Sequence, residues 1–302
     1  MVVNRGGDGT MLDQCDSLLF SSLRFVSLDK LGLEDRAMNA WTAIERSQDQ
    51  GTWLRHPRCY QSTSRDMLLG LLMAMTRSPP HYRDHLNRLM QNVTENNGYF
   101  GTGPVYVSYL SPGLARLIAT LAFYAGEGST VIPSNVAYGY STAELEVLLT
   151  PAGFTSHLGG LTAWLEMELI SQNKAPTDDR QLHLLSAADW LLIPFSTTSL
   201  TNQRLEWITQ QLVTSDPQNL FFRYLRLRSA GALTNAMRLK LLAELLDMGQ
   251  FPSDRLPMDC DRRSDYLWQR EDKAVNREPI ACNVHFSGVD FLWMTALLLE
   301  DL

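Results

Sequence analysis

Apolar residues along this chain recur at helical spacing, and in several stretches they leave no polar face. After a turn-rich opening, Asn4-Arg5-Gly6-Gly7-Asp8-Gly9-Thr10, the residues Leu12, Cys15, Leu18, Leu19, Leu23 and Val26 fall at helical intervals. From Leu33 to Arg46 the pattern is one-sided. Ala37, Trp41 and Ile44 share a face and charges take the other, which predicts an outer, half-exposed helix. Asp66 to Thr76 is apolar all round, with Gly70 and Ala74 small, and predicts a buried helix that its neighbours approach closely. Pro79-Pro80 then turns the chain into an amphipathic helix from His81 to Val93, with Tyr82, His85, Leu86, Leu89 and Met90 as its buried stripe. A buried helix followed by an amphipathic one is a pair.

The same alternation continues. Ser111-Pro112 opens another apolar helix through Tyr124, with Arg116 its only charge, and Asn135 to Leu149 gives a further segment. Phe154 to Gly160 leads into Leu161, Trp164, Leu165, Glu168 and Leu169, with His157 near the helix start. Arg180 to Leu192, Asn202 to Val213, Pro217 to Ser229 and Thr234 to Met248 read as four more helices, bounded by Asp216-Pro217 and Gly231. The chain ends in a nearly all-apolar helix after Ser287-Gly288, with Asp290 on its first turn. No β-alternating run of useful length interrupts them. Between Asn96 and Pro112 the Gly- and Tyr-rich stretch reads as a long loop or a short hairpin.

About twelve helices, several of them hidden on every side, require a second layer around them. The economical solution is a single all-α domain over residues 1–302, an (α/α)6 toroid-like barrel with inner helices ringed by outer ones. No repeat of about 34 or 40 residues supports a helical solenoid instead.

Composition narrows the function. With 302 residues, 45% of them apolar and 20% charged, the chain buries a large core. Its net charge of -7 and the lack of any Lys/Arg run argue against a nucleic-acid footprint. Cys15, Cys59, Cys260 and Cys282 form no CxxC pair and have no His at zinc spacing, so they read as free thiols, and no metal or cofactor is expected. The opening lacks an apolar signal region, and no run reaches the ~18 apolar residues of a membrane span. The expectation is a soluble chain with no membrane partner, cytoplasmic by default; its oligomeric state is not legible. Asn92-Val93-Thr94 is a glycosylation sequon that matters only on an exported chain. Gly101-Thr102-Gly103 lacks the strand before it and the Gly-Lys-Ser/Thr after it that a phosphate loop needs.

Candidate chemistry gathers in the loops before the buried helices. Trp53, Arg55, His56, Arg58 and Tyr60 crowd a loop bounded by Gly51 and Pro57. Aromatic rings with guanidinium groups suit sugar faces and anionic groups, and they equally suit plain loop packing. Ser64 is the natural N-cap of the following helix, which places Arg65 and Asp66 on its first turn. The unpaired amides there favour a carboxylate, so Asp66 suits a base or ligand role better than an acid's. Asp8, Asp13 and Asp16 form an acidic cluster that lacks calcium-loop spacing. A helix start explains acids at these positions without any catalysis.

The segment Ser64-Arg65-Asp66-Met67-Leu68-Leu69-Gly70 resembles the Arg-Asp segment at an inner helix of glucoamylase-like and related toroid glycosidases, over about a dozen residues. That resemblance implies that Arg65 and Asp66 line a sugar subsite. Arg65 to Gly70, Phe221-Phe222-Arg223-Tyr224-Leu225 and Trp268-Gln269-Arg270-Glu271-Asp272 together also resemble an uncharacterised toroid-like domain, which implies no activity.

The expectation is a carbohydrate-active enzyme, a glycoside hydrolase acting on an oligosaccharide in a funnel at one end of the toroid. Asp66, Asp16 and Asp13 are the candidate catalytic carboxylates, since two acids divide protonation and attack. Trp53, Arg55, His56, Arg65, His157, Tyr106, Trp268 and Arg270 are the candidate substrate-binding residues. Two alternatives stay open. A polysaccharide lyase would use His/Tyr acid-base chemistry with Arg neutralising a uronate, drawing on His56, His157, Tyr99 and Arg55. A non-catalytic helical protein would bind a glycan or a protein partner through the same funnel. Isoprenoid chemistry is weaker, because no Asp-rich diphosphate motif or zinc constellation stands out.

Overall fold

The computed structural model describes residues 17–49, 52–57, 63–77, 79–96, 99–100, 108–109, 114, 117–118, 121, 156–171, 198–247, 288–300 and 302. Among these the chain is mostly helical. Nine helices have both ends among the described residues: α1 (Ser17–Lys30), α2 (Glu34–Glu45), α3 (Arg65–Arg77), α4 (Pro79–Glu95), α5 (Ser156–Ser171), α6 (Thr198–Ser215), α7 (Leu220–Ser229), α8 (Asn235–Asp247) and α9 (Val289–Leu299). Two minimal antiparallel pairs join them. β1 (Gln48–Asp49) pairs with β2 (Thr52–Trp53), and β3 (Tyr99–Phe100) pairs with β4 (Ser108–Tyr109), so two pieces of the Gly- and Tyr-rich stretch lie antiparallel to one another. The helices expected at 111–124, 135–149 and 180–192 lie mostly or wholly outside the described residues, as do all four cysteines.

Burial sorts the helices into two kinds. Residues 17–28 of α1, 67–76 of α3, 158–169 of α5 and all but two of 289–298 in α9 are buried, so these helices have no solvent face. In α2, α4, α6 and α8 the core side is a single stripe, such as Ala37, Ala40, Trp41 and Ile44, or Leu86, Leu89, Met90 and Val93. A helix as rich in serine as α1 tolerates burial because its hydroxyls find partners within the helix, Ser17 and Ser21 each other and two more the backbone. Ser22 donates to the Leu18 carbonyl at 2.7 Å and Ser27 to the Leu23 carbonyl at 2.6 Å.

Close approach makes the inner layer dense. A Cβ on Gly70 would sit 2.9 Å from the Leu19 Cα, so α1 and α3 touch at a point where only glycine fits. Beside it the Leu19 amide donates to the Met67 sulfur at 3.3 Å, and the Leu18 amide donates to the Arg55 carbonyl at 3.0 Å. These bonds satisfy amides that the first turn of α1 leaves without an intrahelical partner. Trp164 of α5 meets Trp293 of α9 edge-on at 4.7 Å, and Phe221 of α7 lies 6.2 Å from the same Trp293 ring.

Two of the helices, α1 and α7, end in the same kind of turn. At the end of α1, Gly32 adopts a φ of +67°, and the Leu33 amide reaches back to the Leu28 carbonyl at 2.9 Å. At the end of α7, Gly231 adopts a φ of +64°, and the Ala232 amide reaches the Leu227 carbonyl at 2.9 Å. Both are left-handed caps that satisfy an orphan carbonyl and reverse the chain into α2 and α8.

The packed pairs make a circuit. α1 packs on α2, α3 and α9; α3 on α4 and α5; α5 on α6 and α7; α7 on α8; and α8 on α9, which returns to α1. Residues from the last turns of α1, α5 and α7, together with Glu300 just beyond α9, meet in one ionic cluster, and Arg77 at the end of α3 bonds to Asp29 of α1 at 2.7 Å. The C-terminal ends of all five of these helices therefore lie together.

Candidate functional site

The two ends of this bundle differ chemically. At the C-terminal end, Lys30, whose side chain is wholly buried, bridges Glu168 of α5 at 3.4 Å and Glu300 after α9, and its ammonium sits 5.4 Å from the centre of the Trp164 ring. Arg228 of α7 bonds to the other oxygen of Glu168 at 2.6 Å. Cations are favoured where helix carbonyls end, and carboxylates are not. Glu168 and Glu300 are tolerated there because each faces a cation.

The ionisation follows from those contacts. Burial pushes the Glu168 carboxyl upward, yet the charges of Arg228 and Lys30, and the bonds they donate, outweigh it and hold the group below its ordinary value of 4.5. Burial disfavours the Arg228 cation, but the neighbouring Tyr224, Glu168 and Glu300 raise its proton affinity above the usual range. Tyr224 is pushed up to about 12, chiefly by burial, with Glu168 and Glu300 adding to it and Arg228 opposing. Two cations answer two carboxylates in this cluster. The arrangement neutralises itself and ties four helices together, which is a structural office.

At the opposite end, the chain enters the buried helices. Ser64 stands immediately before Arg65, the first residue of α3, so the N-cap position and the first-turn placement of Asp66 are as the sequence predicts. The Ser64 carbonyl accepts the Leu68 amide at 3.0 Å, and its hydroxyl is engaged by side chains. The hydroxyl accepts from the Arg55 guanidinium at 2.7 Å and donates to Asp66 Oδ1. Arg55 is held in turn, since its carbonyl accepts the Leu18 amide of α1. One carboxylate oxygen is thereby fixed at the start of a buried helix, on a half-buried side chain. Arg65 is half-buried beside it.

Trp53 of this loop is used in packing. Trp53 is 3% exposed and meets the His85 ring edge-on at 5.6 Å, and His85 lies 5.7 Å from Trp41. A ring that stacks on a sugar needs an open face, and Trp53 has none in this arrangement. His56 is also buried. His157 is the second residue of α5, at the start of a buried helix. Asp13, Asp16, Tyr106, Trp268 and Arg270 lie outside the described residues. Tyr99, on β3, is exposed.

Asp290 occupies the first turn of α9 as Asp66 does in α3, but it is 7% exposed and accepts the Phe291 amide at 2.9 Å. Among the described residues no group of three His, Cys, Asp or Glu side chains is placed to hold a metal ion. No helix among them is long and apolar enough to cross a membrane. No family model, curated protein or solved structure matches the chain. What stands is a mostly helical protein with a self-neutralised end and an end that presents a fixed carboxylate.

Proposed function

We propose that this chain is a carbohydrate-active toroid, a glycoside hydrolase of (α/α)6 type whose site lies where the buried helices begin. The ring is supported by the circuit of packed helices that returns from α9 to α1 and by the shared direction of α1, α3, α5, α7 and α9. Helices that all point one way need return helices outside them, which is the office of α2, α4, α6 and α8.

The observation that carries the functional reading is the relay Arg55, Ser64, Asp66. With Oδ1 engaged by Ser64, the second oxygen of Asp66 is the one to receive a sugar hydroxyl or the proton of an attacking water. Glycoside hydrolysis also needs a second carboxyl to protonate the leaving oxygen. Asp16 and Asp13, which precede α1 in the sequence, are our candidates. Arg65 is then the neighbouring cation of the sugar subsite.

The test is a panel of neutral and uronic-acid glycans, followed by reducing-end release and by the absorbance of unsaturated products, with Asp66→Asn and Asp16→Asn in parallel. Release of reducing ends by the native chain, lost in either variant while circular dichroism is unchanged, is the expected result. Unsaturated products would make the chemistry elimination. Glycan retention without turnover would make the protein a binding module, and no response to any glycan would overturn the reading.

A further inference from the structure

We draw no further inference here: the strongest candidate, the exposed apolar stripe of Leu239 and Leu246 on the outer face of α8, carries nothing, because nothing in the structure shows what covers it.

Discussion

Lys30 Nζ lies 3.4 Å from Glu168 Oε2, joining the last turn of the first helix to the last turn of α5, and neither side chain is more than 5% exposed. Glu168 answers both Lys30 and Arg228. Its replacement by Gln leaves two cations facing only Glu300, whereas removal of Lys30 leaves Glu168 still bonded to Arg228. Breaking a buried pair from one side costs about 3–5 kcal/mol. Glu168→Gln should therefore fall in that range in urea unfolding, and Lys30→Met should cost less. Equal losses would mean that Arg228 contributes nothing to holding Glu168.

The cluster also fixes how stability responds to pH. Because the native Glu168 value is lowered, its contribution is fully present above 4.5 and is lost as pH falls through the lowered value. Glu244, lowered by the bond it accepts from Arg223, acts in the same direction from a more exposed position. Tyr224 acts at the other extreme. Its native value is raised from 10.0 to about 12, so stability should hold below 10 and decline as pH climbs through that window. Urea midpoints measured from pH 3 to 12 check both arms. Glu168→Gln should flatten the acid arm and Tyr224→Phe the alkaline one.

Much of the helical burial pattern is legible in the sequence, because burial leaves a periodic trace. The one-sided stripe of Ala37, Trp41 and Ile44 marks α2 as half-exposed, and the run from Met67 to Met75 marks α3 as buried. Ser64 and Asp66 were placed correctly because helix starts have local chemistry. The ionic cluster was not legible. Lys30 and Glu168 are 138 positions apart and Lys30 and Glu300 are 270 apart, and nothing local distinguishes a cation bound for the core from one bound for solvent. Trp53 is ambiguous for a related reason: an aromatic residue in a polar loop suits a binding platform and loop packing alike, and its neighbour His85 is 32 positions away.

Gly70 tests the closeness of the inner layer. An added methyl would lie 2.9 Å from the Leu19 Cα and from the Leu19 Cδ1, and the first of these is backbone that cannot rotate away. Gly70→Ala should gain helix propensity but lose about 1–3 kcal/mol to the displacement of α1 from α3. Thermal unfolding checks the balance. A variant as stable as the native chain would mean that α1 shifts freely against α3.

The relay at the start of α3 makes a prediction that does not depend on knowing the substrate. Arg55 donates to the Ser64 hydroxyl, which donates to Asp66, so the three groups form a chain. Removing the middle member should disconnect both ends. Ser64→Ala and Arg55→Ala should each cost about 1 kcal/mol, and the double variant should cost little more than the larger single loss, a coupling of roughly 0.5 kcal/mol or more. Strict additivity in a double-mutant cycle would show that the bonds do not cooperate. Carried out beside the glycan panel, the same variants separate two roles of Asp66. If the relay aims the carboxylate at a sugar, Ser64→Ala should lower turnover more than it lowers stability, with Ser64→Thr restoring it. If the relay only fastens the loop to the helix, stability and turnover should fall together.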